Sequence, residues 1–267
     1  MKLFISSDIE GSCGIAHWDE TDYDRGGRWY DYFREQMSKE VAAACEGAIE
    51  SGVKDILVKD AHDLARNIIP TLLPKPVHII RGWSGHPYVM VDGLEKDFDA
   101  LAFTGYHSPA YCAGNPLSHT MATNLHKVII NGQLASEFTI HSYIAAMLGV
   151  PVIFVSGDED LCQQASQLIP GITTVAVNQG KGNSSYSMHP LEAQERIRAG
   201  MKEAVIGNME KCKLELPSHF VTEVTYKDHP RAYRCGQFPG ARMIDAKTIV
   251  FESDHYEDVL RFYLFVL

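Results

Sequence analysis

The chain has 267 residues, of which 45% are hydrophobic, 22% charged and 10% aromatic, a composition that excludes a disordered or fibrous architecture. That length supports one large α/β domain or two modest ones, each able to bury a substantial core. A formal net charge of -10, with no Lys/Arg-rich run to offset it, sets nucleic acid aside as a partner.

The N-terminus is apolar only from Met1 to Ile5, too short for a signal peptide or a membrane span, and no later segment approaches one, so no membrane partner is expected. The six cysteines are scattered without a close pair, which excludes a CxxC motif and fits a reducing cytoplasm.

Along the chain, Lys2 to Ser7 reads as a first strand ending in Asp8-Ile9-Glu10-Gly11. From Trp29 to Ser51, Phe33, Met37, Val41, Ala44 and Ala48 recur at helical spacing before Gly52. Asp55 to Val58 is a buried strand ending in Lys59-Asp60-Ala61-His62, which completes a right-handed strand-helix-strand unit. Val77 to Ile80 and Ala100 to Thr104 are further strands, the second running into Gly105-Tyr106-His107. Asn131-Gly132 between Lys127 to Ile130 and Gln133 to Ala135 predicts a hairpin with a type I′ turn. A helix from about Phe138 to Leu148, a strand Val152 to Val155, a helix Asp158 to Leu168 and a strand Thr173 to Val177 continue the alternation. Gln179 to Met188 reads as a loop, and His189-Pro190 opens a helix to about Met209. After Leu216, Phe220 to Tyr226 alternates, Thr248 to Phe251 is a β run, and Ser253 or Asp254 is placed to cap a last helix. The predicted fold class is therefore α/β, a central, mostly parallel sheet flanked by helices. The expected division is a metal-binding catalytic domain over residues 1–210 and a smaller α+β subdomain over 211–267.

Asp8 and Glu10 lie two apart, so at a strand end both side chains project to one face with Cβ atoms roughly 6–7 Å apart. Taken alone, the pair reads more readily as a solvated strand end. Ligands of open α/β sheets, however, bind beyond the carboxyl ends of strands, and His62, His107 and Glu137 also fall near element ends. Each has a bland alternative: a loop imidazole, a histidine bonded to a carbonyl, a carboxylate stabilising a helix N-terminus. As a set, three carboxylates and two imidazoles suit two zinc ions, with one carboxylate bridging and positions left for water and substrate. Four positive and three negative charges leave about +1 to offset a bridging hydroxide, which predicts a hydrolytic site. His119, in Ser118-His119-Thr120-Met121, is placed to carry a proton or support an oxyanion, or else is a structural loop residue.

These motifs, Ser-Asp-Ile-Glu-Gly (7 to 11), Lys-Asp-Ala-His (59 to 62), Gly-Tyr-His (105 to 107), Ser-His-Thr-Met (118 to 121) and Asn-Gly-Gln-Leu-Ala-Ser-Glu (131 to 137), resemble in order and spacing those of the DppA-type zinc D-aminopeptidases. The resemblance continues through Pro151 to Asp158 and the helix after Pro190. It implies two zinc ions per subunit, Asp8 bridging them, Glu10 and His107 completing one, and His62 and Glu137 the other. It also implies His119 as the catalytic histidine, a homodecamer of two stacked pentameric rings, and short peptides as substrates. The expected function is thus a di-zinc aminopeptidase acting on short peptides, D-amino-acid peptides by the resemblance. The alternatives are a two-metal hydrolase of another amide or a phosphoester, or a non-catalytic peptide-binding protein linked to uptake.

Overall fold

A computed structural model describes residues 1–24 and 29–267. Its elements run β1 (Lys2–Ser7), α1 (Tyr30–Glu50), β2 (Asp55–Asp60), β3 (Val77–Ile80), β4 (Ala100–Tyr106), β5 (Leu125–Ile130), β6 (Gln133–Leu134) and α2 (Glu137–Leu148). There follow β7 (Val152–Asp158), α3 (Glu159–Leu168), β8 (Thr173–Lys181), β9 (Ser184–Ser187), α4 (Pro190–Ile206), β10 (Phe220–Tyr226), α5 (His229–Cys235), β11 (Arg242–Met243), β12 (Thr248–Ser253) and α6 (Tyr256–Val266).

Seven strands form one sheet in the order β3-β2-β1-β4-β7-β8-β9, parallel throughout except for the last, antiparallel pair. The predicted α/β class with a mostly parallel sheet is therefore observed. β4 and β7 are buried at every position, as strands covered on both faces must be. α1 packs along α4, and α3 and α4 lie against β8. The chain builds outward from β1 through β2 to β3, then returns to place β4 on the other side of β1. That reversal is the switch point at which open α/β sheets form a crevice.

A second, antiparallel sheet has the order β11-β12-β10-β5-β6. The Asn131-Gly132 hairpin, with both residues at positive φ (49° and 80°), belongs to this sheet, and β5 pairs with β10. The smaller sheet thus joins residues 125–134 to strands beyond residue 220. α6 covers β10 and β12 and touches α2.

Two readings change. Gln179 to Met188 is not a loop: β8 extends to Lys181 and turns at Gly182 (φ 59°) into β9, pairing Asn178 with Ser187 and Lys181 with Ser184. Its polar side chains suit a sheet edge, where neither face is fully covered. The cap of α6 also differs, because His255 is the N-cap residue and makes no side-chain cap bond. Ser253 instead accepts the His255 N–H at 3.0 Å and donates to Asp258.

Gly157 in β7 pairs with Tyr106, and a Cβ added there would run into the Tyr106 carbonyl. Gly157→Ala is expected to cost roughly 1–3 kcal/mol by overpacking the two central strands. Urea unfolding should show a lower midpoint at an unchanged m-value.

Candidate metal centre

β1 ends at Ser7, paired with Asp60 of β2 on one side and Thr104 of β4 on the other. The Asp8 N–H continues the ladder to the Thr104 carbonyl (2.8 Å), and the Ala61 N–H donates to the Ser7 carbonyl (2.9 Å). Three strand ends therefore deliver Asp8, His62 and His107 to one crevice. The Glu10 loop is drawn onto β4 by the Gly11 N–H bond to the Gly105 carbonyl (2.8 Å), an approach that a Cβ at position 11 would block against Tyr106. Glu137 opens α2, capped by Ser136, whose hydroxyl accepts the Thr139 N–H.

All six residues singled out in the sequence meet here. His62 Nδ1 is 3.3 Å from Asp8 Oδ1 and 3.1 Å from Glu10 Oε2, while His107 Nε2 is 3.5 Å from Asp8 Oδ2 and 3.4 Å from Glu137 Oε2. Asp8, Glu10 and His62 form one group able to hold a cation, and Asp8, His107 and Glu137 another, with donor atoms in each group lying within 4.8 Å of one another. These two groups place Glu10 with His62 and Glu137 with His107, whereas the resemblance implies Glu10 with His107 and His62 with Glu137. A third such group, Glu10, His107 and His119, spans the gap between them.

Each imidazole is oriented by its other nitrogen. His62 Nε2–H donates to the Thr21 carbonyl (3.1 Å), His107 Nδ1–H to the Ser108 carbonyl (2.9 Å) and His119 Nδ1–H to the Leu117 carbonyl (2.9 Å). The nitrogen facing the carboxylates is then the one with the lone pair, the arrangement that metal-ligating histidines require. A further layer fixes these partners. Asp158 accepts both the N–H and the hydroxyl of Ser108 at 2.6 Å, Asn67 donates to the His62 carbonyl at 2.7 Å, and Asn115 donates to the Glu10 carbonyl at 3.0 Å.

Burial pushes the Asp8 carboxyl up, and the neighbouring Glu10 and Glu137 charges push it well above the usual carboxylate range. Burial would do the same to Glu10, but the His62 imidazole beside it overcomes this and holds it well below that range. Burial would lower His62 and His107, yet the carboxylates raise both well above the ordinary imidazole value. Burial and the stacked His107 ring, 4.4 Å away and 9° from parallel, lower His119. Three carboxylates sealed from water thus demand positive charge, which either protons on His62 and His107 or bound cations can supply.

The residues fit cations better than protons alone. Asp8 Oδ2, Glu10 Oε2 and His107 Nε2 are buried, face the cluster and have no hydrogen-bond partner among the described residues. Orphaned buried polar atoms are costly unless something coordinates them, and a nitrogen and oxygen donor set suits zinc. Glu137 is not idling at a helix N-terminus, because its Oε1 accepts the Met121 N–H at 2.7 Å. Above the cluster opens a cavity of about 630 Å³, walled by Trp18, Asp22, Trp83 and Met121 and reaching His119.

A family model described as D-aminopeptidase matches residues 1–265. The chain belongs to the D-aminopeptidase family. This aminopeptidase is 30% identical over 251 residues to a D-aminopeptidase of Bacillus subtilis (strain 168), covering 94% of this chain and 90% of that relative. A solved structure of DppA from Bacillus subtilis, described as a zinc-dependent D-aminopeptidase and a self-compartmentalizing protease, matches it with a TM-score of 0.90 at 27% identity. The match covers 99% of this chain and 96% of that one.

Several wall and support residues of the aminopeptidase were not picked out from its sequence. Trp18 opens a short 3-10 turn and Trp83 lies on a loop, neither with periodicity, and Asp158, expected only to open a helix, both caps α3 and holds Ser108. Among the other histidines, His141 is a buried, bonded core residue, whereas His86 lines the cavity.

Behind the Glu10 loop, Glu40 Oε1 accepts from the Cys13 N–H (2.8 Å) and Gln36 (2.9 Å), while Oε2 has no partner among the described residues. Burial pushes its carboxyl from the usual 4.5 to about 7. The folded state therefore keeps a proton that the unfolded chain releases, and Glu40 costs stability as pH rises from about 4.5 to about 7. Relative to the parent, Glu40→Gln should become more stable across that window by about 3 kcal/mol, measured by denaturant unfolding at successive pH values. A pH-independent difference would contradict this.

Proposed function

We propose that this aminopeptidase holds two zinc ions, one among Asp8, Glu10 and His62 and one among Asp8, His107 and Glu137, and removes D-residues from the N-termini of short peptides. The observation that carries the reading is the shared carboxylate: Asp8 turns Oδ1 toward His62 and Oδ2 toward His107, as a bridging ligand would. Zinc is supported by the donor set and by the solved relative, described as zinc-dependent. Substrates with an N-terminal D-residue are supported by the description of the family.

When bound, such ions supply a Lewis acid for the scissile carbonyl and a water acidified toward neutrality. The protein contributes the rest. Asp8, Glu10 and Glu137, all buried, offset the cationic charge. His119, its Nδ1–H held by Leu117, presents Nε2 to the cavity 3.5 Å from Glu137 Oε1. Its lowered pKa keeps that nitrogen free at neutral pH, so Nε2 takes the proton from the attacking water and passes it to the leaving amine.

Elemental analysis of purified variants, together with alanine release from matched D- and L-alanyl dipeptides, tests the whole reading. Asp8→Asn should lose both ions, and Glu10→Gln and Glu137→Gln mainly one each. His119→Gln should keep both ions while kcat falls roughly 10²–10⁴-fold. Two ions retained by Asp8→Asn, or equal release of D- and L-alanine, would count against it.

A homodecamer and a cytoplasmic setting belong to the same proposal. The first is supported by the self-compartmentalizing description of the solved relative, the second by six free cysteines of the kind a reducing compartment maintains. No helix among the described residues is long and apolar enough to cross a membrane. Sedimentation equilibrium should give the mass of ten subunits, and a monomer would refute the assembly.

A further inference from the structure

Beside the ligand cluster lies a second cavity of about 160 Å³, walled by Ile140 of α2 and by Leu260 and Tyr263 of α6. It adjoins the larger one, and Val89, Met121 and Leu264 line both. We propose that this cavity is a specificity pocket for one branched or aromatic side chain of the peptide, a deepening that rests on the peptidase reading above.

Size and chemistry set the occupant. An apolar cavity of about 150 Å³ holds a benzene molecule, so a phenyl or isobutyl group fills this one and a methyl group leaves most of it empty. Its polar wall groups are already bonded within the protein. His141 Nδ1–H donates to the Glu137 carbonyl (2.6 Å) and Nε2 accepts the Met90 N–H (3.4 Å), while the Tyr263 hydroxyl pairs with Thr222. A peptide side chain therefore meets a largely apolar surface in which the His141 ring and the Tyr263 hydroxyl are already paired.

Met121 links this pocket to the reacting centre. Its backbone, at φ 63°, is pinned by the N–H bond to Glu137 Oε1, and the residue lines both cavities. A group seated in this pocket therefore lies beside a residue bonded to Glu137. Substrate series with the side chain varied on either flank of the scissile bond identify which one is seated.

The test uses the full-length, zinc-loaded protein and two dipeptide series, with alanine, leucine or phenylalanine varied at the first residue or at the second. Each is prepared as the amide, to give kcat/KM, and as the unreactive CH2–NH analogue, to give Kd by calorimetry. In one series leucine and phenylalanine should exceed alanine roughly ten- to hundred-fold in both quantities, and that series identifies the residue whose side chain is seated. Leu264→Trp, a change on the surface of α6 at a residue 39% exposed, narrows the shared wall and should bring the phenylalanine-to-alanine ratio close to one. No gain in either series, or a ratio unaltered by Leu264→Trp, overturns the proposal. Analogues that bind with the expected gain while no amide is cleaved would uphold the pocket and sink the peptidase reading instead.

Discussion

Three carboxylates, Asp8, Glu10 and Glu137, are buried together at the switch point of a parallel sheet, each no more than 3% exposed. Removing even one such charge from water is expensive, and three within reach of one another repel as well. Almost every local feature nearby answers that problem. His62 sits between Asp8 and Glu10, and His107 between Asp8 and Glu137, so that no carboxylate lacks a basic neighbour. The backbone contributes too: the Ile9 N–H reaches Asp8 Oδ1 and the Met121 N–H reaches Glu137 Oε1. Yet Asp8 Oδ2, Glu10 Oε2 and His107 Nε2 are left over. A protein that buries charge and then leaves the acceptor atoms bare has a cluster completed by something outside the chain.

Rigidity of the cluster comes from residues that touch it only through others. Asp158 accepts two hydrogen bonds from Ser108 and one from Leu161, fixing the carbonyl that orients His107 as well as the start of α3. Asp60 accepts from the Asn67 side chain and from the Asn67 and Ile68 backbone, and Asn67 donates to the His62 carbonyl. Asn178 donates to the Gly11 and Ser12 carbonyls, bracing the Glu10 loop from β8. An imidazole held through a carbonyl that is itself held cannot swing away when its charge state changes.

How much of this was legible in the sequence follows the range of the signals. The strand-helix alternation and the polar residues closing each apolar run are local, and they placed β1, β2, β4 and the residues after them. The pairing of ligands is not local. Strand order puts β2 and β4 on opposite sides of β1, so His62 approaches Asp8 from one flank and His107 from the other. Nothing in the spacing of Asp8, His62 and His107 along the chain encodes that order. The β8–β9 hairpin was hidden because an edge ribbon need not be apolar: Gln179, Lys181, Ser184 and Tyr186 all have outlets to water. Trp18 sits on a short 3-10 turn and Trp83 on a loop, segments whose course depends on tertiary contacts such as the Trp83 indole bond to the Asp63 carbonyl.

The second sheet explains how chemistry and selectivity come to be neighbours. β6 leads through Ala135 and Ser136 directly into Glu137, so the last carboxylate of the cluster is delivered by a hairpin whose other strand pairs with β10. β10 also carries α6, which crosses to α2 and brings Leu260 and Leu264 to the wall beside Met121. The same sheet thus fixes one end of the ligand cluster and positions the apolar wall next to it. The two ends differ in tolerance. Residues that follow strands of the parallel sheet are constrained by register on both sides, whereas α6 adds no member to the cluster and can change its exposed face without disturbing the charge balance. Substitutions at Leu264 and its neighbours on α6 are therefore free to reshape the cavity wall while Asp8, Glu10, His62, His107 and Glu137 stay in place.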